Sequence, residues 1–239
     1  MIALRRDRER HHVQHRKHDA WLTFDPQDRT DSLAGGFGAL ESLNEDRFPP
    51  GAGVRLHPRS GGEVITYVLE GALAQEDSSG RSGVIYMGEF QRLIAGRGIR
   101  RSETNASRTK WAHVFQIWLC PPRPGIEPGY EQKRFSGAQR RGLLCVVASP
   151  DGRQGSLRVH QDALIYSSLL DPGQHLVHEL TQGRSAWLHI VRGEATFGDF
   201  VLATGDGVGV TAEPAVSLTA REGTEILLVD LSEYPPKSS

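Results

Sequence analysis

Short apolar runs separated by turn residues dominate the chain. The clearest runs cover residues 64–69, 83–86, 111–119, 143–148, 186–191 and 224–231. β-branched and aromatic residues are frequent in these runs, and Gly, Asp, Ser and Pro occupy the joins between them, which is typical of strands and turns. No window of about 14 residues has an apolar stripe with helical spacing. The pattern therefore predicts an all-β protein.

The pattern of strands and glycine turns occurs twice. In the first half, one apolar run ends at Gly71 and a glycine–acid turn begins at Gly88; the corresponding glycines of the second half are Gly193 and Gly205. The offsets are 122 and 117 positions, close to half of the 239 residues. Two tandem antiparallel β-barrels of the jelly-roll type have this organisation, because such folds protect sheet edges by closing or stacking.

A proline-rich connector separates the two halves. Residues 121–129 contain four prolines, and proline cannot donate a hydrogen bond to a sheet ladder. We therefore predict an N-terminal domain over residues 1–125 and a C-terminal domain over residues 126–239 that ends in a short flexible tail.

Composition narrows the classes of function. The chain has 28 Lys and Arg against 29 Asp and Glu, a formal net charge of −1, which argues against a chain-wide surface for nucleic acid or an anionic membrane. No apolar run approaches the roughly 20 residues that a spanning helix requires. Residues 5–19 are charged and rich in histidine, so they predict a solvated arm and not a secretory signal. We expect a cytoplasmic protein with no nucleic-acid or membrane partner.

Several motifs in a fixed order carry a resemblance to a known family. They occupy residues 50–58, 63–73, 77–80, 95–99, 102–103, 116–118, 128–132, 148–152 and 205–207. Together they resemble the pirin family of two-domain cupins, and the resemblance extends from residue 21 to residue 231. It implies a bicupin fold.

The resemblance also implies one iron-like metal in the N-terminal barrel, held by three histidines and a glutamate. His57 and Glu103 match two of these positions, whereas Arg59 and Arg101 stand where histidines are expected. A guanidinium offers no lone pair and keeps its proton in proteins, so each arginine removes a ligand and adds a fixed positive charge. We therefore expect no metal cofactor; the alternative is one Fe, Mn, Cu or Ni ion on a residual site of His57 and Glu103.

The same residues predict how the N-terminal pocket is arranged. At least one of Arg59 and Arg101 is expected to point inward and to pair with Glu103, with Glu63 as a further carboxylate nearby. The alternative is that both arginines point outward and that other side chains fill the pocket.

Two functions are consistent with this pocket. The first is a monomeric pirin-like protein that has lost metal binding and oxygenase chemistry, and that acts as a regulatory protein or binds a small anionic or phenolic ligand. The second is a quercetinase-like, metal-dependent dioxygenase that uses His57 and Glu103. The sequence names neither the ligand nor a protein partner.

Other candidate residues have simpler interpretations. His113 alternates with apolar residues and is predicted to be a buried, hydrogen-bonded histidine. His175 and His178 lack the spacing of a His-x-His pair and are interpreted as strand-edge or surface residues. Cys120 and Cys145 lie in apolar runs, which favours buried, inert thiols over oxidant sensors.

Overall fold

The structure, a computed structural model, describes residues 1–15, 18–59, 62–78, 80–94, 99–123 and 125–232. The side chains of residues 15, 55–59, 99 and 100 are outside this description. Nearly all regular structure in the described chain is β, as predicted.

The strands up to residue 134 are β1 (Ile2–Arg5), β2 (His11–His15), β3 (His18–Leu22), β4 (Leu40–Phe48), β5 (Gly53–Arg59), β6 (Glu63–Glu70), β7 (Ala72–Asp77), β8 (Ser82–Tyr86), β9 (Glu89–Ile94), β10 (Ile99–Asn105), β11 (Ala112–Leu119) and β12 (Gly129–Arg134). The later strands are β13 (Cys145–Ser149), β14 (Leu157–Arg158), β15 (Ala163–Leu170), β16 (His175–Glu179), β17 (Arg184–Arg192), β18 (Glu194–Phe197), β19 (Phe200–Ala203), β20 (Gly207–Thr211), β21 (Ala215–Ala220) and β22 (Thr224–Ser232). In the described residues, helical structure is limited to α1 (Gly137–Arg140) and the 3₁₀ turns Asp7–Glu9 and Arg153–Gly155.

One compact unit consists of residues 11–35 and 40–135. It contains a seven-stranded sheet, in the order β12-β9-β6-β11-β4-β3-β2, and a four-stranded sheet, in the order β5-β10-β7-β8. Side chains of both sheets meet in one apolar cluster of Phe48, Val68, Leu73, Ile85, Ala112 and Val114. The two sheets therefore pack face to face, and residues that alternate along each strand point into the space between them.

The other unit consists of residues 1–10, 36–39 and 136–239 and has the same plan. A seven-stranded sheet, β1-β20-β17-β22-β15-β13-β14, packs on a four-stranded sheet, β16-β21-β18-β19. Its core joins Leu176 and Leu218 of the short sheet to Leu188 and Leu228 of the long one. The two units thus confirm a tandem, two-domain β fold.

The predicted glycine repeat is present at equivalent turns of the two units. Gly71 joins β6 to β7 at a φ of 75°, and Gly193 joins β17 to β18 at a φ of 94°. A Cβ atom would lie 2.5 Å from the Trp111 carbonyl oxygen at Gly71 and 2.4 Å from the Gly223 carbonyl oxygen at Gly193. Both turns require glycine, because the backbone conformation and the close approach each exclude a side chain.

The division of the chain differs from the predicted boundary at residues 125 and 126. β12 lies beyond the proline-rich connector, yet it pairs with β9 of the N-terminal unit. β1 pairs with β20, so the first ten residues belong to the C-terminal unit. Prolines indicate where the hydrogen bonding of a sheet is interrupted. They do not indicate whether the next strand pairs with the preceding sheet or with a new one.

The predicted solvated arm is also wrong in the described residues. β2 and β3 form an antiparallel hairpin that continues the seven-stranded sheet. His12 stacks on Trp21 with ring centroids 4.5 Å apart, and the Arg47 guanidinium lies 5.2 Å from the Trp21 ring. These ring contacts pack the hairpin against the sheet, and the charged composition of the segment gave no indication of them.

Candidate functional site

Strand β10 carries two charged side chains into the interior of the N-terminal unit. Arg101 and Glu103 alternate along the strand and therefore share one face. Their side chains are 6% and 2% exposed, and Arg101 Nη2 lies 3.5 Å from Glu103 Oε1. The inward pairing expected for an arginine is thus present for Arg101.

Three glutamines complete the surroundings of this pair. Arg101 Nη2 donates to Gln91 Oε1 at 2.6 Å. Gln116 Nε2 donates to Glu103 Oε2 at 2.8 Å, and Gln75 Nε2 donates to Glu103 Oε1 at 3.4 Å. Since Gln91 and Gln116 belong to the long sheet and Arg101 and Glu103 to the short one, these bonds tie the two sheets together.

A row of polar side chains crosses the long sheet behind the ion pair. In register across β12, β9, β6, β11 and β4, the row consists of Gln132, Gln91, Thr66, Gln116 and Asn44. The Thr66 hydroxyl is buried and has no hydrogen-bond partner in the described chain. The sequence pattern did not predict this row; its local signal is a polar residue in the middle of the mainly apolar strands β6 and β11, at Thr66 and Gln116.

Burial is the main electrostatic influence on these groups. It raises the pKa of Glu103, an effect that the Arg101 charge and the Gln116 hydrogen bond oppose. It lowers the pKa of Arg101, which the Glu103 charge opposes. Burial, reinforced by the charges of Glu103 and Glu45, also raises the pKa of Asp46 to about 8. The interior of this unit therefore disfavours an unpaired charge.

A cavity of about 390 Å³ opens beside Arg101. Its lining residues are Gln75, Glu76, Asp77, Arg81, Ser82, Gly83, Leu93, Arg101 and Tyr130. The volume lies within the range of roughly 300–1,000 Å³ that is usual for small-molecule sites. The lining combines hydrogen-bond donors, acceptors and both signs of charge.

The remaining predicted site residues are only partly described. The side chains of His57 and Arg59 are outside the described residues, although β5, which carries them, pairs with β10 and places Leu56 opposite Arg101. His57 and Arg101 therefore lie on neighbouring strands. Glu63 is fully buried at the first position of β6.

The described donors by themselves do not fit a metal ion. Glu103 offers a carboxylate, but Arg101 offers no lone pair. In the described part of the chain, no group of three or more His, Cys, Asp or Glu side chains is placed to hold a metal. A metal in this unit therefore needs ligands beyond the described side chains, and His57 is the matching family position.

Histidines elsewhere have protein partners. His113 Nε2 lies 2.7 Å from Glu45 Oε1, and both side chains are buried, which confirms the prediction for His113. His178 Nε2 lies 2.7 Å from Asp230 Oδ2, and Arg184 Nε donates to Asp230 Oδ1 at 2.6 Å. His175 and His178 both lie on the edge strand β16, as predicted; His175 is exposed, whereas His178 is half-buried on the strand face that also carries the buried Leu176.

The two cysteines differ in burial. Cys120 is buried as predicted, whereas Cys145 is only half-buried. Burial nevertheless raises the pKa of the Cys145 thiol, with the Arg140 charge opposing the shift. A raised pKa favours the unreactive thiol form; the absence of a redox role stays a prediction.

The paired sheets and the interior site define a two-domain cupin. A family model described as Pirin matches residues 3–119, and one described as Quercetinase C-terminal cupin domain matches residues 146–231. The chain is 41% identical to a quercetin 2,3-dioxygenase of Escherichia coli over 231 residues, which cover 97% of this chain and 99% of that protein. This chain belongs to the pirin family.

Solved structures agree with this assignment. The crystal structure of YhhW from Escherichia coli has a TM-score of 0.90 at 41% identity and covers 97% of each chain. A second structure, bacterial pirin YhhW in complex with nickel(II), has a TM-score of 0.89 and covers 97% of this chain and 99% of its own.

These relatives correct one expectation from the sequence. We expected no metal cofactor because arginines occupy two ligand positions. The nickel(II) complex of a bacterial pirin and the relatives named quercetin 2,3-dioxygenase overturn that expectation. Arginines at one ligand position in each of two motifs are therefore not sufficient reason to expect no metal, because His57 and Glu103 keep the other two positions.

Within the described residues, every helix is too short or too polar to cross a membrane. The monomeric state, the cytoplasmic location and the lack of a nucleic-acid or membrane partner stay predictions.

Proposed function

We propose that this protein is a metal-dependent oxygenase that opens the ring of a flavonol-like phenolic substrate in the N-terminal cupin. The observation that carries the proposal is the 41% identity, over almost the whole chain, to a protein named quercetin 2,3-dioxygenase. The cavity beside Arg101 and Glu103 supports it, because that cavity adjoins the family ligand positions.

The lining of the cavity suits a hydroxylated aromatic molecule. Gln75 and Tyr130 offer hydrogen-bonding groups, and Leu93 offers an apolar surface. Asp77 and Arg81 bring opposite charges to the same lining. A phenolic ring with several hydroxyl groups both donates and accepts hydrogen bonds, so it matches this mixed lining better than a strongly charged anion does.

In this proposal, His57 and Glu103 are the metal ligands. The buried carboxylate of Glu103 lies 3.5 Å from the guanidinium of Arg101, which lines the cavity, and His57 lies on the neighbouring strand. Arg101 departs from the family pattern, so the ligand set of this chain is expected to differ from that of its relatives.

The test uses untagged protein. Nickel, iron, manganese and copper are measured after purification, and oxygen uptake is then followed with quercetin before and after loading with each metal. We expect uptake with at least one metal and its loss in Glu103→Gln. Loaded, folded protein that binds quercetin without taking up oxygen would overturn the proposal.

One observation favours a second function, ligand binding without turnover. Arg101 stands at a ligand position and pairs with Glu103, whose other oxygen already accepts a hydrogen bond from Gln116. In the experiment above, saturable quercetin binding without oxygen uptake under any metal would identify this binding function.

A further inference from the structure

Among the described residues, the guanidinium of Arg101 has partners for one nitrogen, Nη2. Nη2 donates to Gln91 Oε1 at 2.6 Å and lies 3.5 Å from Glu103 Oε1. In the described chain, Nε and Nη1 have no hydrogen-bond acceptor, although Arg101 lines the cavity. A guanidinium carries five N–H donors, and among the described residues only those on Nη2 have an acceptor.

The ion pair with Glu103 is too loose to saturate Arg101. Charge-assisted N–H···O bonds are usually about 2.7–2.9 Å long, whereas the Arg101–Glu103 separation is 3.5 Å. The second carboxylate oxygen of Glu103 accepts a hydrogen bond from Gln116. The positive charge therefore keeps the capacity to interact with another negative oxygen.

The position of the guanidinium is fixed before any ligand arrives. Gln91 is fully buried, and its Nε2 donates to Tyr130 Oη and Gln132 Oε1, each at 3.3 Å. Its other side-chain atom, Oε1, holds Arg101. A binding group that is already immobilised loses little conformational entropy on binding.

We propose that Arg101 is the substrate anchor of the N-terminal cavity and that it binds the ionised oxygen of a flavonol hydroxyl directly. This inference rests on the proposed function for its substrate class. The hydroxyl enters neutral, past Glu76 and Asp77, which also line the cavity, and its proton leaves to solvent when the oxygen reaches Arg101. Because Arg81 and Arg101 balance Glu76 and Asp77 in the lining, a neutral hydroxyl enters without a net electrostatic penalty.

The test measures quercetin binding to the full chain after treatment with EDTA. Affinity is followed by quenching of tryptophan fluorescence, and ionisation of the bound flavonol by the red shift of its absorption band. We expect wild-type protein to bind quercetin with a red shift. Arg101→Gln should weaken binding about tenfold and abolish the shift. The matched control Arg134→Gln removes an exposed arginine of β12, and its dissociation constant should stay within about twofold of wild type.

A folded Arg101→Gln variant with unchanged affinity and red shift would overturn the inference. Where Arg101→Gln does not fold, Arg101→Lys is used, because lysine keeps the charge but not the planar fork. We then expect about threefold weaker binding and a smaller shift, and an unchanged dissociation constant refutes the anchor role. Oxygen uptake by metal-loaded protein tests the proposed function separately, since these binding measurements need neither metal nor turnover.

Discussion

Arg101 and Glu103 form a buried ion pair two residues apart on one strand, with Arg101 Nη2 3.5 Å from Glu103 Oε1. The pair occupies two positions where the family resemblance implies metal ligands. One retains a carboxylate, and the other holds a cation that binds the same carboxylate. The interior of this cupin is therefore organised by hydrogen bonds as well as by any metal, and this has consequences for stability.

Removal of Arg101 alone should destabilise the N-terminal unit. Arg101→Met leaves Glu103 buried without its cation, and we expect a loss of about 3 kcal/mol in the free energy of unfolding at pH 8. The raised pKa of Glu103 means that the folded state favours its protonated form. Stability from that group is present below an unfolded pKa near 4.3 and is lost as the pH rises, so the loss should be smaller at pH 5.

The double variant Arg101→Met, Glu103→Gln is the control for this prediction. Its neutral amide oxygen still accepts from Gln116, and most of the lost stability should return. Urea unfolding of the four proteins in this cycle measures the coupling. A double variant no more stable than Arg101→Met would contradict the ion-pair explanation.

Asp46 should make stability depend on pH. Its pKa is raised to about 8 from an ordinary value near 3.9, so the folded state retains a proton that the unfolded state releases. This contribution is fully present below pH ~4 and is lost as the pH rises through the folded value near 8. Between pH 5 and pH 8, the free energy of unfolding of Asp46→Asn should therefore increase relative to that of wild type by up to about 1.4 kcal/mol per pH unit.

Urea unfolding at each pH provides the measurement for Asp46. Asp199→Asn, at an exposed turn of the other unit, is the control and should follow the wild-type curve. A difference between Asp46→Asn and wild type that stays constant from pH 5 to pH 8 would show that Asp46 does not titrate in this way.

Two glycines with similar backbone angles should respond differently to alanine. At Gly71 (φ 75°) an added Cβ atom would lie 2.5 Å from a carbonyl oxygen, whereas at Gly80 (φ 83°) it would meet nothing within 4 Å. Gly80→Ala should cost about 1 kcal/mol for the backbone conformation alone. Gly71→Ala should cost about 3 kcal/mol, because a steric clash is added. Equal losses in thermal or urea unfolding would argue against that clash.

Asp230 should anchor the C-terminal unit. Its carboxylate lies 2.7 Å from His178 Nε2 and accepts a hydrogen bond from Arg184 Nε at 2.6 Å. Asp230→Asn should destabilise the unit by about 2 kcal/mol, because a buried charged acceptor is lost. Faster amide hydrogen exchange in β16 and β22 reports this directly. The control His175→Gln, at an exposed position on β16, should stay within about 0.5 kcal/mol of wild type; equal acceleration in both variants would refute the role of Asp230.

The sequence predicted part of the candidate site. The motifs located Arg101 and Glu103, and the chemistry of a buried arginine predicted their pairing. The roles of Gln75, Gln91, Gln116 and Asp46 were not predicted, because each belongs to a different strand and only sheet register brings them together. The same limit explains the boundary error at residue 125, since the pairing of β12 with β9 joins segments that are distant along the chain.

The sequence by itself determined the all-β class, the twofold repeat and the family, because alternation, turn glycines and ordered motifs are properties of the local chain. Tertiary structure alone decided that Arg101 faces inward, that three glutamines hold the ion pair and that a cavity opens beside it. These features depend on which strands become neighbours and on how far burial shifts each charge. Neither the choice of neighbouring strands nor the extent of burial can be read from a single position in the sequence.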